Sequence, residues 1–307
     1  MNKVVLITGA ASGIGRDLSL TFHDYGFRVY ATSRNIDNMG DLSEKGISVL
    51  QLDVSNLESI NNAVNYIIDN EGKIDILINN AGLVYYGPCI ELPIEDTRHL
   101  MEINFFGVVN VTMAVSKFMV EKRSGIIVNI GSISGVMTSP FTGVYCASKA
   151  ALHAWSDALR MELDPFNVKV VTSIPGTIVS NIVDRAVPQL RQLLAHSIYK
   201  PIEAEILGRP TMIKSIQVST RSFSEYLLQV IFRRRLPATF RYGPGTIFTM
   251  IMSALPTRFT DWLLKKKAGL AKLKQIIEEQ AVKSQKQQQS LSNNNNNNNN
   301  HNNNNDE

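Results

Sequence analysis

Short apolar runs alternate with amphipathic stretches from the first residues of the chain. Nearly continuous apolar runs occur at 4–7, 28–32, 48–54, 74–80, 125–130 and 168–174. Such runs suit strands that are covered on both faces of a parallel sheet. The segments between them have the length of helices, and residues 14–26, for example, end in a glycine where a C′ cap is expected. Strands that alternate with helices predict βαβ units and a doubly wound α/β fold.

The later part of the chain departs from this alternation. Residues 177–237 show no clear strand pattern and mix apolar with basic positions, which predicts a helical insertion over the substrate. Residues 238–245 (ATFRYGPG) predict a seventh strand, so we expect one catalytic domain in residues 1–247. Residues 248–286 predict a basic amphipathic helical extension. Residues 287–307 are rich in asparagine and lack core-forming side chains, which predicts a disordered tail.

The composition limits the class of protein. Hydrophobic residues make up 44% and charged residues 19% of the 307 positions, which is enough for a sizeable core. A net charge of +4 is modest and does not by itself indicate nucleic acid as a partner. The two cysteines, Cys89 and Cys146, have no metal-ligand spacing. We therefore expect a reducing compartment, no structural disulfide and no metal.

No segment is typical of export or of membrane insertion. The N-terminal apolar run VVLI is too short for the core of a signal peptide. The apolar residues 246–255 are about half of the ~20 residues that a membrane span needs, and Pro256 ends them. We expect a cytoplasmic protein without a signal peptide or a transmembrane helix.

A glycine-rich loop joins the first predicted strand to the first predicted helix. In ITGAASGIG (7–15), glycines at 9, 13 and 15 allow a tight turn and the close approach of a pyrophosphate to the helix N-terminus. The spacing is G-x-x-x-G-x-G rather than G-x-G-x-x-G. Because any tight strand-to-helix turn favours glycine, it is the position at the first β–α junction that indicates a nucleotide site.

Tyr145 and Lys149 lie four residues apart in VYCASKAAL (144–152). On a helix these two positions share a face, and the lysine charge would lower the pKa of the phenol. A phenol so tuned acts as a general acid or base near neutral pH. Taken alone, the pair favours a packed tyrosine and a solvated lysine, because Y-x-x-x-K occurs often by chance.

Seven short motifs together resemble those of the short-chain dehydrogenases/reductases. They are TGAASGIG, LDV at 52–54, NNAG at 79–82, EINFFG with Asn104, NIGSISG with Ser132, YCASK at 145–149 and PG at 175–176. They follow the order of that family over about residues 3–250, and Ser132 precedes Tyr145 by the usual 13 positions. The resemblance implies a doubly wound Rossmann fold and hydride transfer with a nicotinamide cofactor.

The resemblance also implies a role for each catalytic residue. Tyr145 would be the general acid in carbonyl reduction and the general base in alcohol oxidation. Lys149 would lower the pKa of Tyr145 and hold the hydroxyls of the nicotinamide ribose. Ser132 would hydrogen-bond the substrate oxygen, and Asn104 would kink its helix and hold a water that links Lys149 to solvent.

The residues that end the second strand predict the cofactor. NAD-specific members of the family place an acidic residue there, whereas this chain has Ser33 followed by Arg34. A guanidinium beside a small hydroxyl suits a 2′-phosphate, so NADP(H) is favoured over NAD(H). Two observations leave NAD(H) open: Ser12 stands where a second basic residue would strengthen the case, and Arg34 is also compatible with a plain surface arginine.

Further cofactor contacts follow from the resemblance. Asp53 would approach the adenine, and Asn80 and Ala81 the adenosine ribose. The remaining positions are assigned by motif: Gly9, Ser12, Gly13, Ile14 and Gly15 to the pyrophosphate, Gly82 beside NNA, and Pro175, Gly176, Ile178 and Ser180 to the nicotinamide side.

The segments outside these motifs indicate the substrate. The insertion mixes apolar residues with basic ones, including the run at 233–235, which favours a hydrophobic, lipid-like carbonyl or alcohol. Tyr85 and Tyr86 either lie beside the substrate or serve packing. The alternative function is a non-catalytic NADP(H)-binding regulator or scaffold associated with membranes; such proteins usually lose the catalytic tyrosine or lysine, and both are present here.

The extension combines aromatic and basic residues. Phe259 and Trp262 alternate with the lysines at 265–267, a composition typical of a helix at a membrane interface, although a helix packed on the protein or in a dimer fits equally well. Its sequence also resembles the C-terminal part of fungal NADPH-dependent acyl-dihydroxyacetone-phosphate reductases of the endoplasmic reticulum and lipid droplets. VYATSR and YCASK occur in 17β-hydroxysteroid and retinol dehydrogenases. A peripheral location on those surfaces and a homodimer or homotetramer therefore remain open.

Overall fold

The computed structural model describes residues 3–179, 182–214 and 217–302. Seven strands in the described chain form one parallel sheet in the order β3-β2-β1-β4-β5-β6-β7. The strands are β1 (Val4–Thr8), β2 (Arg28–Ser33), β3 (Ser48–Gln51), β4 (Ile76–Asn79), β5 (Gly125–Ile130), β6 (Val168–Pro175) and β7 (Thr239–Tyr242). Each lies within, or within one residue of, an apolar run that predicted it, so the doubly wound seven-stranded fold is confirmed.

Helices connect the strands and continue beyond the last one. Those between strands are α1 (Gly13–Asp24), α2 (Gly40–Glu44), α3 (Leu57–Glu71), α4 (Ile94–Met101), α5 (Gly107–Glu121), α6 (Gly143–Leu163), α7 (Ile182–Leu194), α8 (Glu203–Lys214) and α9 (Thr220–Ile231). After β7 come α10 (Thr246–Ser253), α11 (Thr257–Lys267) and α12 (Leu270–Asn302).

Both faces of the sheet are covered, which explains the nearly continuous apolar runs. On one face, Leu18 and Phe22 of α1 and Phe223 of α9 pack in a single core cluster with strand residues. On the other face, Ile60 of α3 and Val115 of α5 belong to a second cluster. All five residues of β1 are buried because this strand lies near the centre of the sheet.

A third apolar cluster joins the insertion to the extension. Leu190 and Leu194 of α7, Ile206 of α8 and Leu273 of α12 pack together with Phe141, which precedes α6. Lys272 of α12 also pairs with Glu205 of α8 at 2.7 Å. The start of α12 is therefore packed on the protein, as one of the two interpretations of the extension predicted.

The insertion is helical, with one small exception. Ile178 and Val218 form an isolated parallel bridge, which the sequence pattern did not predict. The basic run Arg233–Arg235 precedes β7 and so lies at the amino edge of the parallel sheet. That edge is opposite the one reached by Ser132 after β5, so the run lies away from the proposed substrate site.

The last described helix, α12, extends into the asparagine-rich tail. It ends at Asn302, and the disorder expected from residue 287 stays a prediction. Main-chain hydrogen bonds within a helix are local and do not require core-forming side chains. Residues 303–307 lie outside the described residues.

Among the described residues, one helical stretch has the length and apolarity of a membrane span. It is Ile94–Glu121, and 44% of its most apolar window is buried inside the fold. This stretch contains α4 and α5, which connect β4 to β5, and its residues Val111 and Val115 are part of the second core cluster. Packing against the sheet accounts for much of its apolar character.

Candidate active site

The predicted motifs meet at the carboxyl edge of the sheet. The strand order reverses between β1 and β4, because β1 connects in sequence toward β2 and lies beside β4 in space. In open α/β sheets this reversal creates the crevice in which ligands bind. Five of the predicted segments lie where a strand ends at this edge. They are the glycine loop after β1, the end of β2, the NNAG loop at the end of β4, Ser132 after β5 and the PG turn at the end of β6.

The glycine loop lies against the NNAG loop without room for side chains. Gly9 has a φ of +69°, and a Cβ there would be 2.7 Å from Ala81 Cα. A Cβ on Gly15 would overlap Gly9 O and Asn80 Nδ2. Asn80 Nδ2 donates to the carbonyl oxygens of Thr8 at 2.9 Å and Gly9 at 3.1 Å, so this side chain holds the two loops together.

The start of α1 offers main-chain donors to an anion. Ser12 is the N-cap residue in extended conformation, and its side chain makes no capping hydrogen bond. The N–H groups of the first turn therefore have no side-chain acceptor, and the helix dipole favours negative charge there. Together with Gly13 at a φ of +57° and the adjoining Ile14, this geometry fits a pyrophosphate.

Asn104 lies in a π-helical turn, Glu102–Phe106, between α4 and α5. Its side chain accepts a hydrogen bond from Leu83 N and donates to Leu83 O, both at 2.9 Å, and also donates to Ser148 Oγ at 3.1 Å. Because π turns are a common cause of helix kinks, the kink expected from the resemblance would lie at this turn. Because both N–H groups of the amide are used, a water at this residue would bind its Oδ1 or its main chain.

Tyr145 and Lys149 lie one turn apart on α6. The Lys149 side chain is buried, with 6% of its surface exposed, and its Nζ donates to Ile130 O at 2.8 Å. A Cβ on Gly82 would be 3.8 Å from Lys149 Nζ and 3.3 Å from Asn104 Oδ1, so NNAG, α6 and the π turn meet here. Burial lowers the pKa of Lys149 to about 8, which leaves the ammonium largely charged at pH 7.

The pKa of Tyr145 is shifted opposite to the expected direction. Burial raises the pKa of Tyr145 above its ordinary value; a hydrogen bond with the Ser132 side chain opposes this shift, and Cys146 adds slightly to it. The Lys149 charge is not among the causes of the shift. The prediction that Lys149 lowers the pKa of Tyr145 was therefore wrong, because desolvation is the largest cause and it raises this pKa. The Ser132 contact nevertheless places the two hydroxyls together, with Ser132 Oγ also accepting from Ser134 N at 3.1 Å.

The end of β2 and the LDV motif form the adenosine side of the crevice. Arg34 is exposed and has no ion pair within the described residues. Burial raises the pKa of Asp53, but hydrogen bonds from Ser55 Oγ at 2.6 Å and Ser55 N at 2.9 Å lower it more, and the charges of Arg34 and His99 add to the lowering. Asp53 is thus ionised, and Arg34 lies close enough to influence it.

The PG turn lies against the segment after β7. Gly176 N donates to Tyr242 O at 2.8 Å, and a Cβ on Gly176 would overlap Pro244 O. Pro175 ends β6, whereas the Ile178 side chain is buried in the first core cluster. Ser180 lies outside the described residues. This turn therefore approaches the site mainly through its main chain.

His153 was not identified from the sequence. It lies one turn after Lys149 on the same face of α6, and its Nε2 accepts a hydrogen bond from Ser132 N at 3.3 Å. Its i+4 spacing from Lys149 was visible, but a lone histidine in an apolar helix carries no signal of its own. Only the fold brings it to the catalytic loop.

A doubly wound sheet with a glycine-rich loop at a helix N-terminus, a buried lysine and neighbouring Ser and Tyr residues at one edge is typical of nucleotide-dependent oxidoreductases. The family model described as short chain dehydrogenase matches residues 3–191. The chain belongs to the short-chain dehydrogenase family and is an enzyme of the dehydrogenase/reductase class.

Relatives and solved structures agree with this assignment. The chain is 34% identical over 259 residues to the NADPH-dependent 1-acyldihydroxyacetone phosphate reductase of Schizosaccharomyces pombe, covering 82% of this chain and 87% of that protein. It is 41% identical over 184 residues to the 3-ketodihydrosphingosine reductase of Bacteroides thetaiotaomicron, covering 59% and 66%. A short-chain dehydrogenase structure from Streptomyces avermitilis matches with a TM-score of 0.69 at 25% identity, covering 91% and 99%. The closed form of a serine dehydrogenase complexed with NADP+ matches with a TM-score of 0.67 at 26% identity, covering 79% and 95%.

Proposed function

We propose that the protein is an NADP(H)-dependent oxidoreductase that reduces the carbonyl, or oxidises the alcohol, of a hydrophobic lipid-like substrate. The observation that carries this proposal is the meeting of Tyr145, Ser132, Lys149 and Asn104 at the carboxyl edge of the sheet. The alternative, a cofactor-binding regulator without catalysis, gives no reason for a buried ammonium and a Ser–Tyr pair in one crevice.

The proposed chemistry assigns each side chain a step at a defined atom. The bound nicotinamide supplies or accepts the hydride. In the reductive direction Tyr145 Oη donates its proton to the substrate oxygen, and its raised pKa keeps the phenol protonated until then. Ser132 Oγ hydrogen-bonds the same oxygen and stabilises the charge that develops there. The Lys149 ammonium provides a positive charge behind Tyr145.

NADP(H) fits the crevice better than NAD(H). An acidic residue at position 33 would repel a 2′-phosphate, whereas Ser33 is neutral and Arg34 offers an exposed guanidinium without an ion pair in the described chain. The Schizosaccharomyces relative is named as NADPH-dependent, and the serine dehydrogenase structure holds NADP+. We therefore assign Arg34 to the 2′-phosphate and the start of α1 to the pyrophosphate.

The surroundings of Tyr145 support a lipid-like substrate. The third apolar cluster contains Phe141, four residues before Tyr145, and helices α7 and α8 of the insertion, and Tyr86 packs against it. Gly87 lies so close to Leu193 of α7 that a Cβ there would be 2.7 Å from Leu193 Cδ2. An apolar wall thus borders the catalytic helix, and both relatives described above are named for reductases of lipid intermediates.

The proposed substrate class is tested with a panel of carbonyl compounds. NADPH oxidation should be faster with acyl-dihydroxyacetone phosphate, a long-chain 3-keto lipid, a steroid ketone or retinal than with a short aldehyde at equal concentration. The measurement is kcat/KM for each compound, because it reports discrimination at the transition state. Equal values across the panel would exclude a lipid-specific site, and no oxidation with any carbonyl would favour the regulator.

A membrane surface is the partner that we propose for the extension, because α10 and α11 carry an exposed apolar face. We define this face by Ile247, Phe248, Ile251, Phe259 and Trp262, all of which are exposed, with Trp262 at 59% and Phe259 at 50%. None of the α11 residues is buried. The two helices contact each other, since Lys267 Nζ lies 5.3 Å from the Phe248 ring centroid.

The charges around this face favour an anionic lipid surface. Arg258 and the lysines at 265–267 lie on α11, where Asp261 is the single acidic residue. Trp262 lies 6.1 Å from Phe259, and Lys266 lies over its ring, so aromatic and basic groups are interleaved as in interfacial helices. A Cβ on Gly245, just before α10, would be 3.3 Å from Ile133 Cδ1, which places the start of α10 next to the Ser132 loop. A lipid substrate would thus have a short path from a membrane to the site.

Vesicle binding tests this partner. The full chain should bind phosphatidylcholine vesicles more tightly as phosphatidylserine is added, and less tightly in high salt. Each lysine near such a surface contributes on the order of 1 kcal/mol, so Lys265, Lys266 and Lys267 changed together to Gln should weaken binding roughly 100-fold at low salt. Trp262→Ala should weaken the binding that persists in high salt.

Matched controls are available elsewhere on the surface. Arg233, Arg234 and Arg235 changed to Gln remove the same charge at the opposite edge of the sheet and should leave vesicle binding unchanged, as should Tyr66→Ala on α3. If both triple variants lost the same vesicle affinity, the effect would depend on the net charge of the protein and not on the position of the lysines. A chain that dimerises through the face and ignores anionic vesicles at low salt would overturn the proposal; sedimentation velocity separates these outcomes.

A homodimer or homotetramer also forms part of the proposal. Its support is a second set of exposed apolar side chains, Phe106 in the π turn, Met113 on α5 and Met161 on α6. Helices α5 and α6 pack against the sheet through the second core cluster, and these side chains are exposed on the helices. Their exposure suits contact with another copy of the chain.

A further inference from the structure

His153 occupies the space between the two glycines that flank the Ser132 loop. A Cβ on Gly131 would overlap His153 Nε2, and a Cβ on Gly135 would be 2.6 Å from His153 Cε1. The imidazole therefore lies directly against the main chain on both sides of Ser132. A ring of this shape fits only because both positions are glycine.

The contact is a directed hydrogen bond as well as a steric fit. Ser132 N donates to His153 Nε2 at 3.3 Å, while the preceding amide, Gly131 N, donates to Ser173 O at 2.8 Å. Two successive amides at the start of the loop are therefore hydrogen-bonded to different elements: Gly131 N to β6 and Ser132 N to α6. Ser132 then has an extended backbone, with φ of −169° and ψ of 154°. Its Oγ is left to meet Tyr145.

The electrostatic surroundings keep the imidazole neutral, as an acceptor requires. The pKa of His153 is lowered to about 4, mainly by burial; the charges of Lys149 and Arg241 contribute to the lowering, and the charge of Asp157 opposes it. At neutral pH the ring therefore has a lone pair on one nitrogen, and the hydrogen bond from Ser132 N assigns that lone pair to Nε2. A protonated ring would present a donor to another donor.

We propose that His153 is a positioning residue, whose Nε2 holds the Ser132 main chain so that Ser132 Oγ faces the Tyr145 hydroxyl and the substrate oxygen. This inference rests on the proposed function, because it assigns Ser132 to the reaction. Tyr145, Lys149 and His153 then occupy three successive turns on one face of α6, with one role each: proton donor, buried charge and support of the Ser132 loop.

Two variants of His153 distinguish the contribution of its hydrogen-bond acceptor from that of its planar ring. His153→Phe keeps a planar ring between the glycines but leaves Ser132 N without an acceptor, whereas His153→Gln supplies a carbonyl oxygen. We expect His153→Phe to lower kcat roughly 10- to 100-fold with little change in KM for NADPH, since small misplacements of reacting groups cost about that much. His153→Gln should recover a large part of the loss.

A double-mutant cycle with Ser132→Ala tests whether His153 acts through Ser132. In the Ser132→Ala background, His153→Phe should change kcat by less than about twofold, because the group that it positions is gone. Equal factors in both backgrounds, or equal losses from Phe and Gln, would overturn the proposal. Deuterium uptake of the segment 129–136 gives an independent measurement: the Phe variant should gain fast exchange at one amide that wild type and Gln protect, and unchanged uptake would contradict the hydrogen bond.

The outcomes also distinguish this inference from the proposed function. If Tyr145→Phe leaves turnover intact, the catalytic assignment fails as a whole. If Tyr145→Phe abolishes turnover but His153 and Ser132 prove additive, only the positioning role fails.

Discussion

Tyr145→Phe is expected to lower kcat for carbonyl reduction by about 10²- to 10⁴-fold, the range that positioned acid–base groups contribute. The change removes the proton donor and keeps the ring. Because the phenyl ring keeps the packing of the tyrosine ring, the remainder of the crevice should keep its shape. The measurement is kcat for the best carbonyl of the panel, with NADPH binding followed by fluorescence.

The control for this variant is Tyr199→Phe. Tyr199 packs edge-on against Phe141, with ring centroids 5.3 Å apart, so it is a second tyrosine on the substrate side of α6. Its loss of a hydroxyl should change kcat by no more than a few-fold. NADPH affinity should stay within a few-fold of wild type in both variants. A Tyr145→Phe enzyme that retains most of its turnover would exclude Tyr145 as the proton donor.

The second large effect concerns cofactor choice. Ser33→Asp combined with Arg34→Ala should lower the ratio of kcat/KM for NADPH to that for NADH by roughly 10²-fold or more. A hydrogen bond to a charged group contributes about 1.5–3 kcal/mol, and a carboxylate at position 33 adds repulsion of the 2′-phosphate. The same carboxylate pairs with the ribose hydroxyls of NADH, so the absolute value for NADH should rise.

Arg28→Ala provides a control on the same strand. Arg28 is half-exposed at the amino end of β2 and pairs with Glu71 at 2.8 Å, far along the strand from Ser33. Its removal should leave the cofactor ratio unchanged. If the double variant moves the ratio by less than about threefold, the 2′-phosphate is recognised elsewhere and the assignment of Arg34 is lost.

The fold was largely predictable because burial on both faces leaves a direct trace in the sequence. The run GIIVNI coincides with β5, and VVLI lies within β1, because a strand in a covered parallel sheet has no polar face. The motif residues could be placed at one edge for a topological reason: every strand that precedes a motif runs in the same direction. Their proximity then needed no knowledge of side-chain geometry.

The parts that could not be predicted depend on competing interactions or on long-range packing. For Tyr145 the sequence offered only the neighbouring lysine, whereas the depth of burial that raises its pKa belongs to the assembled crevice. The role proposed for His153 depends on its contacts with Gly131 and Gly135, which are distant in the chain, so the sequence pattern did not indicate it. In the extension, Leu273 packs on the insertion while Trp262 stays exposed, and one amphipathic pattern described both.

Burial of Lys149 has a thermodynamic consequence beyond the reaction. Its pKa is about 8 in the folded protein and about 10.5 in an unfolded chain, so between these values the unfolded chain binds more protons. Each unit of difference corresponds to about 1.4 kcal/mol, so this residue makes the free energy of unfolding roughly 3 kcal/mol smaller at pH 7 than above pH 10.5. Proton linkage at one side chain thus opposes folding in the same pH range in which its charge serves the active site. An uncharged residue at this position would favour the native state and leave Tyr145 without its cation.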